Sequence, residues 1–294
     1  MEFKIINDLK EAEKIWNIFS PNKYFWDLWE SRICFIKGAD YPIHFIVGYE
    51  SKKVVGILPL WHDTHDDSYS WLGGEFPENN RFFIKDKNQI NLFLQQCPPK
   101  TFLYYIQADD KDYFNGTIDE MEKYYLNPPE FEGLEGFLKT FSKKHRNSFK
   151  HDLKIIQEKG YQTKVNDYPG NIISLIRDYN VARFGDESFF KDEGFVRGLD
   201  NLLSFIKDKN LGQIITVEKD GLVVGAVLAV YYNNVYTMIL GGSDPEVSNL
   251  GKLLMFKHFE NAFALKAQTI DLMSGGGWKD LWNLPHYPAH EWHN

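Results

Sequence analysis

The chain has 294 residues, which is enough for about two domains and for a large core without disulfide staples. An aromatic content of 16% excludes a disordered chain, and a net charge of −8 argues against broad, non-specific binding of nucleic acid. Two cysteines, Cys34 and Cys97, can form neither a disulfide scaffold nor a four-cysteine zinc site, so we expect free thiols.

The first residues are rich in acids and do not resemble a secretion signal. The apolar runs are far shorter than the roughly 20 residues that cross a bilayer. We therefore expect a cytoplasmic protein without a membrane span.

Hydrophobic spacing in the first part of the chain predicts a strand, two helices, three strands, a helix and a strand. These elements are residues 2–6, 8–20, 24–34, 43–50, 53–61, 68–72, 88–96 and 101–107. An acidic stretch at 109–135 follows and contains Pro128 and Pro129, which predict an extended connector rather than a helix.

The second part of the chain predicts the same order of elements. They are residues 160–165, 171–184, 195–209, 213–218, 222–232, 235–241, 248–266 and 269–273. Ser248 is the expected N-cap of the last helix. We place the domain boundary near residue 130, which gives an N-terminal domain 1–129 and a C-terminal domain 130–294.

Three sequence blocks recur in one order and at nearly one spacing. VVGILPL at 54–60 lies 169 residues before VVGAVLA at 223–229, and LGGEFPE at 72–78 lies 168 residues before LGGSDPE at 240–246. TFLYYI at 101–106 likewise lies 168 residues before TIDLMS at 269–274. Such spacing indicates a duplicated domain. The predicted fold is α/β, with two tandem copies that each contain a mixed, mostly antiparallel sheet flanked by helices.

The β-α-α-β-β-β-α-β order resembles the GCN5-related N-acetyltransferase (GNAT) fold. The chain as a whole resembles the tandem-domain branch that contains BioF2-like (CelD-type) acyltransferases and Fem-type peptidyltransferases. The segments that carry this resemblance are 26–29, 56–60, 125–126, 142–150, 271–272 and 278–282. The resemblance implies an N-acyltransferase that uses acetyl-CoA or another acyl-CoA as co-substrate, with direct attack by an acceptor amine.

The resemblance also implies that the C-terminal domain binds the donor, where a strand leads into a helix. Amides at a helix N-terminus favour a pyrophosphate, and strand amides would polarise a thioester carbonyl. The expected donor-binding residues are Met238, Ile239, Leu240, Ser248, Asn249, Leu250, Gly251 and Lys252. The loop has one glycine where the family has a Gly-x-Gly/Ala pair, and we expect Lys252 and the Ser248 hydroxyl to compensate in part. The corresponding residues 78–82 have no glycine, so we expect no donor site in the N-terminal domain.

Three consecutive glycines at 275–277 allow a ligand to approach the backbone closely. A lysine in the comparable turn of Fem-type relatives contacts phosphates of the acceptor, so the resemblance implies that role for Lys279. Trp278 would be a platform for a sugar or base. The expected acceptor-binding residues are Lys279, Trp278, Gly276, Arg146 and Trp71. A surface turn with a solvated lysine is the alternative.

The helix that opens the C-terminal domain has a basic stripe. Lys139, Lys143, Arg146, Lys150 and Lys154 follow one another at helical spacing. A stripe of this kind suits CoA phosphates, a nucleotide-linked sugar or a tRNA acceptor stem, and a solvated helix face is the alternative.

Proton removal from an amine requires a general base, such as a carboxylate, within hydrogen-bond reach. Asp271 and Glu187 are the candidates, with Tyr236 as a general acid, and ordinary surface or core roles are the alternatives. The nine histidines lack the spacing of a zinc site, so we expect no metal. Three functions remain open: a CoA-dependent N-acyltransferase for a small-molecule or sugar-linked amine, a Fem-like transferase that uses aminoacyl-tRNA, and a non-catalytic binding protein.

Overall fold

The structure is a computed structural model that describes residues 1–114, 117–275 and 277–294. The chain forms two compact units. The first unit contains Met1–Lys123, Arg197–Leu202 and Tyr287–Asn294, and the second contains Tyr124–Val196 and Leu203–His286.

The sheet of the first unit has the strand order β1-β2-β3-β4-β6-β13, and β5 pairs with β3. The β4–β6 pair is parallel, and the other pairs are antiparallel. The elements are β1 (Glu2–Ile6), α1 (Leu9–Phe19), α2 (Trp29–Ala39), β2 (Ile43–Glu50), β3 (Lys53–Asp63), β4 (Ser68–Trp71), β5 (Phe83–Ile84), α3 (Ile90–Leu94), β6 (Thr101–Ile106) and the last strand of the chain, β13 (His286–His293).

The sheet of the second unit has the order β12-β11-β10-β9-β8, in which only the β11–β12 pair is parallel. The elements are α4 (Gly133–Leu138), α5 (Lys143–Glu158), β8 (Gln162–Val165), α6 (Ile172–Phe184), α7 (Glu193–Asp208), β9 (Gly212–Lys219), β10 (Leu222–Tyr232), β11 (Val235–Ser243), α8 (Leu250–Ala264) and β12 (Thr269–Ser274). The middle of α7 is the part of the chain that clusters with the first unit.

The predicted α/β class and the β-α-α-β-β-β-α-β order are confirmed in both copies. β3 and β10 each have 11 residues and the same sequence of exposed, half-buried and buried positions. Each pairs with the preceding strand through a bulge at one valine, Val55 and Val224. Because a bulge is a specific defect of one strand pair, its recurrence at the repeat spacing supports a duplication.

Two alternating faces organise the second unit. Ile270 and Leu272 of β12 belong to a core cluster that α4, α5 and α8 cover with Phe137, Phe149 and Phe259. Since side chains alternate along a strand, the residues between them face the other side of the sheet. α6 packs against β10 and β11.

The element boundaries differ from the prediction at three places. The helix predicted at 24–34 starts only at Trp29, because the Asp27 carboxylate accepts the amides of Lys23 and Tyr24 and stabilises a separate 3-10 turn. The last helix of the repeat starts at Leu250 and not at Ser248. The predicted extended connector contains a ten-residue strand, β7 (Thr117–Leu126).

Cys34 and Cys97 are buried free thiols, as predicted. None of the helices in the described part of the chain combines the length and the apolar character that crossing a bilayer requires.

Candidate functional site

A gap opens in the sheet of the second unit between two parallel strands. β11 and β12 pair only at Val235–Thr269, Tyr236–Ile270 and Thr237–Asp271. Within the described residues no further pair joins these strands, although β11 continues along β10 to Ser243. A bulge at Ile239 falls in this unpaired part. A bulge bends its strand, which is consistent with the loss of pairing between β11 and β12 beyond Thr237.

The helix that follows the gap presents an open N-terminus. Asn249, the N-cap of α8, has a left-handed backbone with φ 65° and makes no side-chain hydrogen bond to the first turn. The first turn contains no acid, so its amides and the helix dipole favour an anion. A Cβ atom at Gly251 would meet only the Ser243 Oγ, at 4.0 Å. Gly251 therefore borders free space.

The chain itself fills the corresponding gap of the first unit. β4 and β6 also pair in parallel at only two positions, Tyr69–Thr101 and Ser70–Phe102. Beyond them, Asn80 bridges to β6: its amide donates to the Tyr105 carbonyl at 3.2 Å and its side chain donates to the Tyr104 carbonyl at 2.8 Å. Residues 77–80 thus form a plug where the second unit is open.

Asp271 lies at the fork where β11 and β12 separate. It is 5% exposed, and its carboxylate accepts the Met273 amide at 2.9 Å. It alternates with Ile270 and Leu272 of the core cluster, which places it on the opposite face of the sheet, as predicted. Of the candidate acids, Asp271 is the one beside the gap; Glu187 is exposed in a 3-10 turn after α6.

Asn180 is a polar contact of the site that sequence analysis missed. Its side-chain amide, on α6, donates to the Gly241 carbonyl of β11 at 3.0 Å. The next residue, Gly242, has no room for a side chain, because a Cβ atom would lie 3.0 Å from the Ile176 backbone. The Leu-Gly-Gly repeat marked these glycines, but nothing in the spacing of α6 marked Asn180.

Lys279 is neither exposed to solvent nor free to contact a phosphate. Its side chain is buried, and its ammonium group donates to the carbonyls of Leu272 at 2.8 Å, Met273 at 3.1 Å and Ser274 at 2.5 Å. These are the last carbonyls of β12, where Met273 has φ 61°. Lys279 therefore stabilises the irregular end of the strand, and this contact replaces the predicted contact with an acceptor.

Two other predicted acceptor-binding residues, Trp71 and Arg146, have different surroundings from those expected. Trp71 is 2% exposed and belongs to the core of the first unit, so a surface contact with an acceptor is wrong for it. Arg146 donates to the carbonyls of Lys139 and Phe141, at 3.0 and 2.5 Å, and so stabilises the end of α4. Trp278 is 44% exposed and remains available to a ligand. Gly276 lies outside the described residues.

Acidic side chains neutralise part of the positive charge of Lys252 and of the basic stripe. Lys252 forms an ion pair with Asp152 of α5. Lys150 and Lys154 pair with Glu135 and Glu158, each at 3.6 Å. A phosphate at α8 would therefore depend mainly on backbone amides.

Tyr236 is buried in the core of the second unit. Its hydroxyl lies 2.8 Å from Nδ1 of His258 on α8, and burial raises the pKa of the tyrosine. A general acid must reach its substrate, so the structure does not support that role for Tyr236. Burial lowers the pKa of His258 to about 3, so the imidazole is neutral in the folded protein.

Because His258 is buried in its neutral form, we expect the stability of the folded protein to fall in acid. The unfolded chain takes up this proton below a pH of about 6.5, whereas the folded protein does so only near 3, so stability falls as the pH drops through this window. From pH 7 to pH 5 we expect the histidine to remove about 2 kcal/mol from the free energy of unfolding. Urea denaturation of His258→Gln should show a correspondingly smaller loss. The exposed-site variant His151→Gln should behave like wild type, and an equal pH response of His258→Gln would contradict the prediction.

Among the described residues, no group of three or more His, Cys, Asp and Glu side chains is placed to hold a metal ion.

The sequence of the second unit matches a known family. Residues 143–280 match the acetyltransferase (GNAT) domain model. This part of the chain is therefore similar to GNAT acetyltransferase domains. The match to the GNAT model includes β11, the open turn of α8, Asp271 and Lys279.

Solved structures share the fold of this chain at low identity. A crystal structure of FemX is 10% identical with a TM-score of 0.62, covering 100% of this chain and 98% of its own. A tandem GNAT protein from the clavulanic acid biosynthesis pathway is 9% identical with a TM-score of 0.56, covering 99% and 97%. L-PGS from Bacillus licheniformis is 10% identical with a TM-score of 0.55, covering 91% and 92%. No curated protein matches the sequence.

Proposed function

We propose that this protein transfers an acyl group from an acyl-CoA, such as acetyl-CoA, to an amine of a small-molecule, sugar-linked or nucleotide-linked acceptor. The observation that carries the proposal is the gap between β11 and β12 beside the open N-terminus of α8. The second unit has this gap, whereas residues 77–80 fill the corresponding gap of the first unit. We therefore expect one donor site in each chain.

The residues around the gap fit the parts of an acyl-CoA. The unpaired edge at Met238, Ile239 and Leu240 supplies backbone groups to an extended pantetheine arm, as one more strand would. Ser248, Asn249, Leu250, Gly251 and Lys252 surround the first turn of α8, where amides suit a pyrophosphate. The thioester of the donor supplies the activated acyl carbon.

The chemistry required of the protein is positioning and the removal of one proton. Strand amides at the gap would orient the acyl carbonyl and stabilise charge that develops on its oxygen. Asp271, at the fork of the two strands, is the proposed proton acceptor for the amine, directly or through one water molecule. Trp278, exposed after β12, remains the proposed contact for an acceptor ring.

A Fem-like aminoacyl-tRNA donor is the second candidate. It is favoured by the fold shared with FemX over the full length of the chain and by exposed lysines on α5, including Lys143 and Lys144. A non-catalytic binding protein remains the third. We also expect a cytoplasmic location, because both cysteines are free thiols.

Calorimetry with acetyl-CoA and CoA tests the donor site. We expect a dissociation constant in the roughly micromolar range for wild type, which corresponds to about −8 kcal/mol. Gly251→Asp should weaken binding at least about tenfold, because a carboxylate would face the pyrophosphate at the first turn of α8. The variant should fold, since the site has room for a side chain and an acid suits a helix N-terminus.

Gly170→Asp is the matched control, because it makes the same change at an exposed glycine with free space around it. It should bind acetyl-CoA like wild type. No binding by wild type at millimolar CoA would contradict the proposal and direct the next assays to charged tRNA. Binding without turnover on any amine would instead support the non-catalytic alternative.

A further inference from the structure

The first unit contains a small cavity that the proposed acyl transfer does not use. Its volume is about 10 Å³, which is about the space of one water molecule. The charged residues that line it are Asp27, Arg32 and Arg81, and Trp71 contributes an aromatic wall. Two guanidinium groups therefore surround the cavity with one carboxylate.

The carboxylate does not neutralise both cations. Asp27 is 1% exposed and accepts the amides of Lys23 and Tyr24, both at 2.9 Å, through one oxygen. Its other oxygen lies 3.8 Å from the Nε of Arg81. This is the distance of a loose ion pair and too long for a hydrogen bond.

Arg32 is a buried cation that Asp27 attracts but that forms no direct ion pair with a carboxylate among the described residues. It is 3% exposed, and it donates to the carbonyls of Trp26 at 2.7 Å and Leu72 at 3.1 Å. Burial lowers its pKa to about 9, so it remains charged at neutral pH and its desolvation is not fully compensated.

Two buried donors at the cavity lack acceptors. The indole Nε1 of Trp71 and the Nε of Arg81 are buried without a hydrogen-bond partner. A water molecule could accept from both, but it would leave the excess positive charge in place. An anion of the same size would satisfy the donors and the charge together, because buried charges need a counter-charge as well as hydrogen bonds.

We propose that this cavity is a binding site for a small inorganic monoanion of the size of chloride. The neighbouring plug restricts the ligand to this size, since Asn80 lines the cavity and is fixed by hydrogen bonds to the Pro77 and Tyr104 carbonyls at 3.0 and 2.8 Å. The bound anion would stabilise the first unit and would take no part in the donor site of the second.

Thermal unfolding of the full chain in sodium chloride and in sodium gluconate, at equal ionic strength, tests the proposal. Gluconate is too large for the cavity. At about tenfold the dissociation constant we expect chloride to raise the melting temperature by roughly 3 °C, with saturation. Chlorine-35 NMR should show line broadening that the protein induces and that saturates over the same concentration range.

Three variants locate the effect. Arg81→Gln removes one cation and should abolish both signals. Trp71→Phe keeps an aromatic ring but removes one donor and should weaken binding several-fold, which serves as a second measurement if Arg81→Gln folds poorly. Lys85→Gln removes an exposed cation outside the cavity and should leave both signals unchanged. Equal melting temperatures in the two salts without line broadening, or full retention of both signals in both cavity variants, would overturn the proposal.

Discussion

Replacing Lys123 by methionine is expected to lower the free energy of unfolding by about 3–5 kcal/mol. The Lys123 ammonium lies 2.7 Å from the Glu78 carboxylate, and the two side chains are 1% and 4% exposed. Methionine fills a similar volume but leaves the carboxylate buried without this cation, which is the costly way to break a buried ion pair. Urea denaturation measures the change.

A double variant separates the charge from the packing. Glu78→Gln combined with Lys123→Met removes both charges and should recover much of the lost stability. Lys10→Met, at an exposed position of α1, is the matched control and should change stability by less than about 0.5 kcal/mol. A loss below about 1 kcal/mol for Lys123→Met would show that solvent or another partner compensates Glu78.

This ion pair also bears on function. Glu78 directly precedes Asn79 and Asn80 of the segment that closes the gap in the first unit. Holding this segment in place keeps β4 and β6 from accepting a ligand between them. If Lys123→Met releases the segment, the proposed donor binding at the second unit should be unchanged in calorimetry.

Replacing Lys279 by methionine is expected to cost about 2–3 kcal/mol of unfolding free energy. The substitution removes the ammonium donor of three carbonyls at the end of β12, and buried acceptors without donors are unfavourable. Chemical denaturation monitored by tryptophan fluorescence measures the loss. Lys144→Met, at an exposed position on α5, is the control and should be nearly neutral.

The same variant decides between a structural and an acceptor-binding lysine. An unchanged unfolding free energy together with a raised KM for an acceptor amine would restore the predicted contact between Lys279 and the acceptor. A lowered stability with proportionate effects on all substrates would support the stabilisation of β12.

The hydrophobic pattern predicted the elements well because it depends on local alternation. The eight elements of each copy are present, and their order and the β3–β10 repeat need only the period of 2 or 3.6 residues. Helix starts were less predictable. Ser248 and Asn249 are both good N-cap residues, and which of them is the cap depended on the left-handed backbone of Asn249.

The sequence predicted which strands the candidate residues lie on, but it did not predict their contacts. The Leu-Gly-Gly repeat and Asp271 lie on the strands that border the gap, and Asp271 is on the face of the sheet that alternation predicted. The roles of Trp71, Arg146, Tyr236 and Lys279 depended on burial and on carbonyls that lie near them only in the folded chain. Residue type alone does not distinguish a buried lysine with three acceptors from a solvated one.

By itself, the sequence determined the α/β class and the tandem repeat of elements. These properties follow from hydrophobic periodicity, glycine spacing and sequence repetition. Each of these signals can be read from the sequence without knowing which distant residues are in contact. Only the tertiary structure decided that β11 and β12 separate beyond Thr237, that Asn80 closes the other gap, and that Lys279 is buried. Each depends on which backbone groups find partners across the fold, and long-range packing sets those pairings.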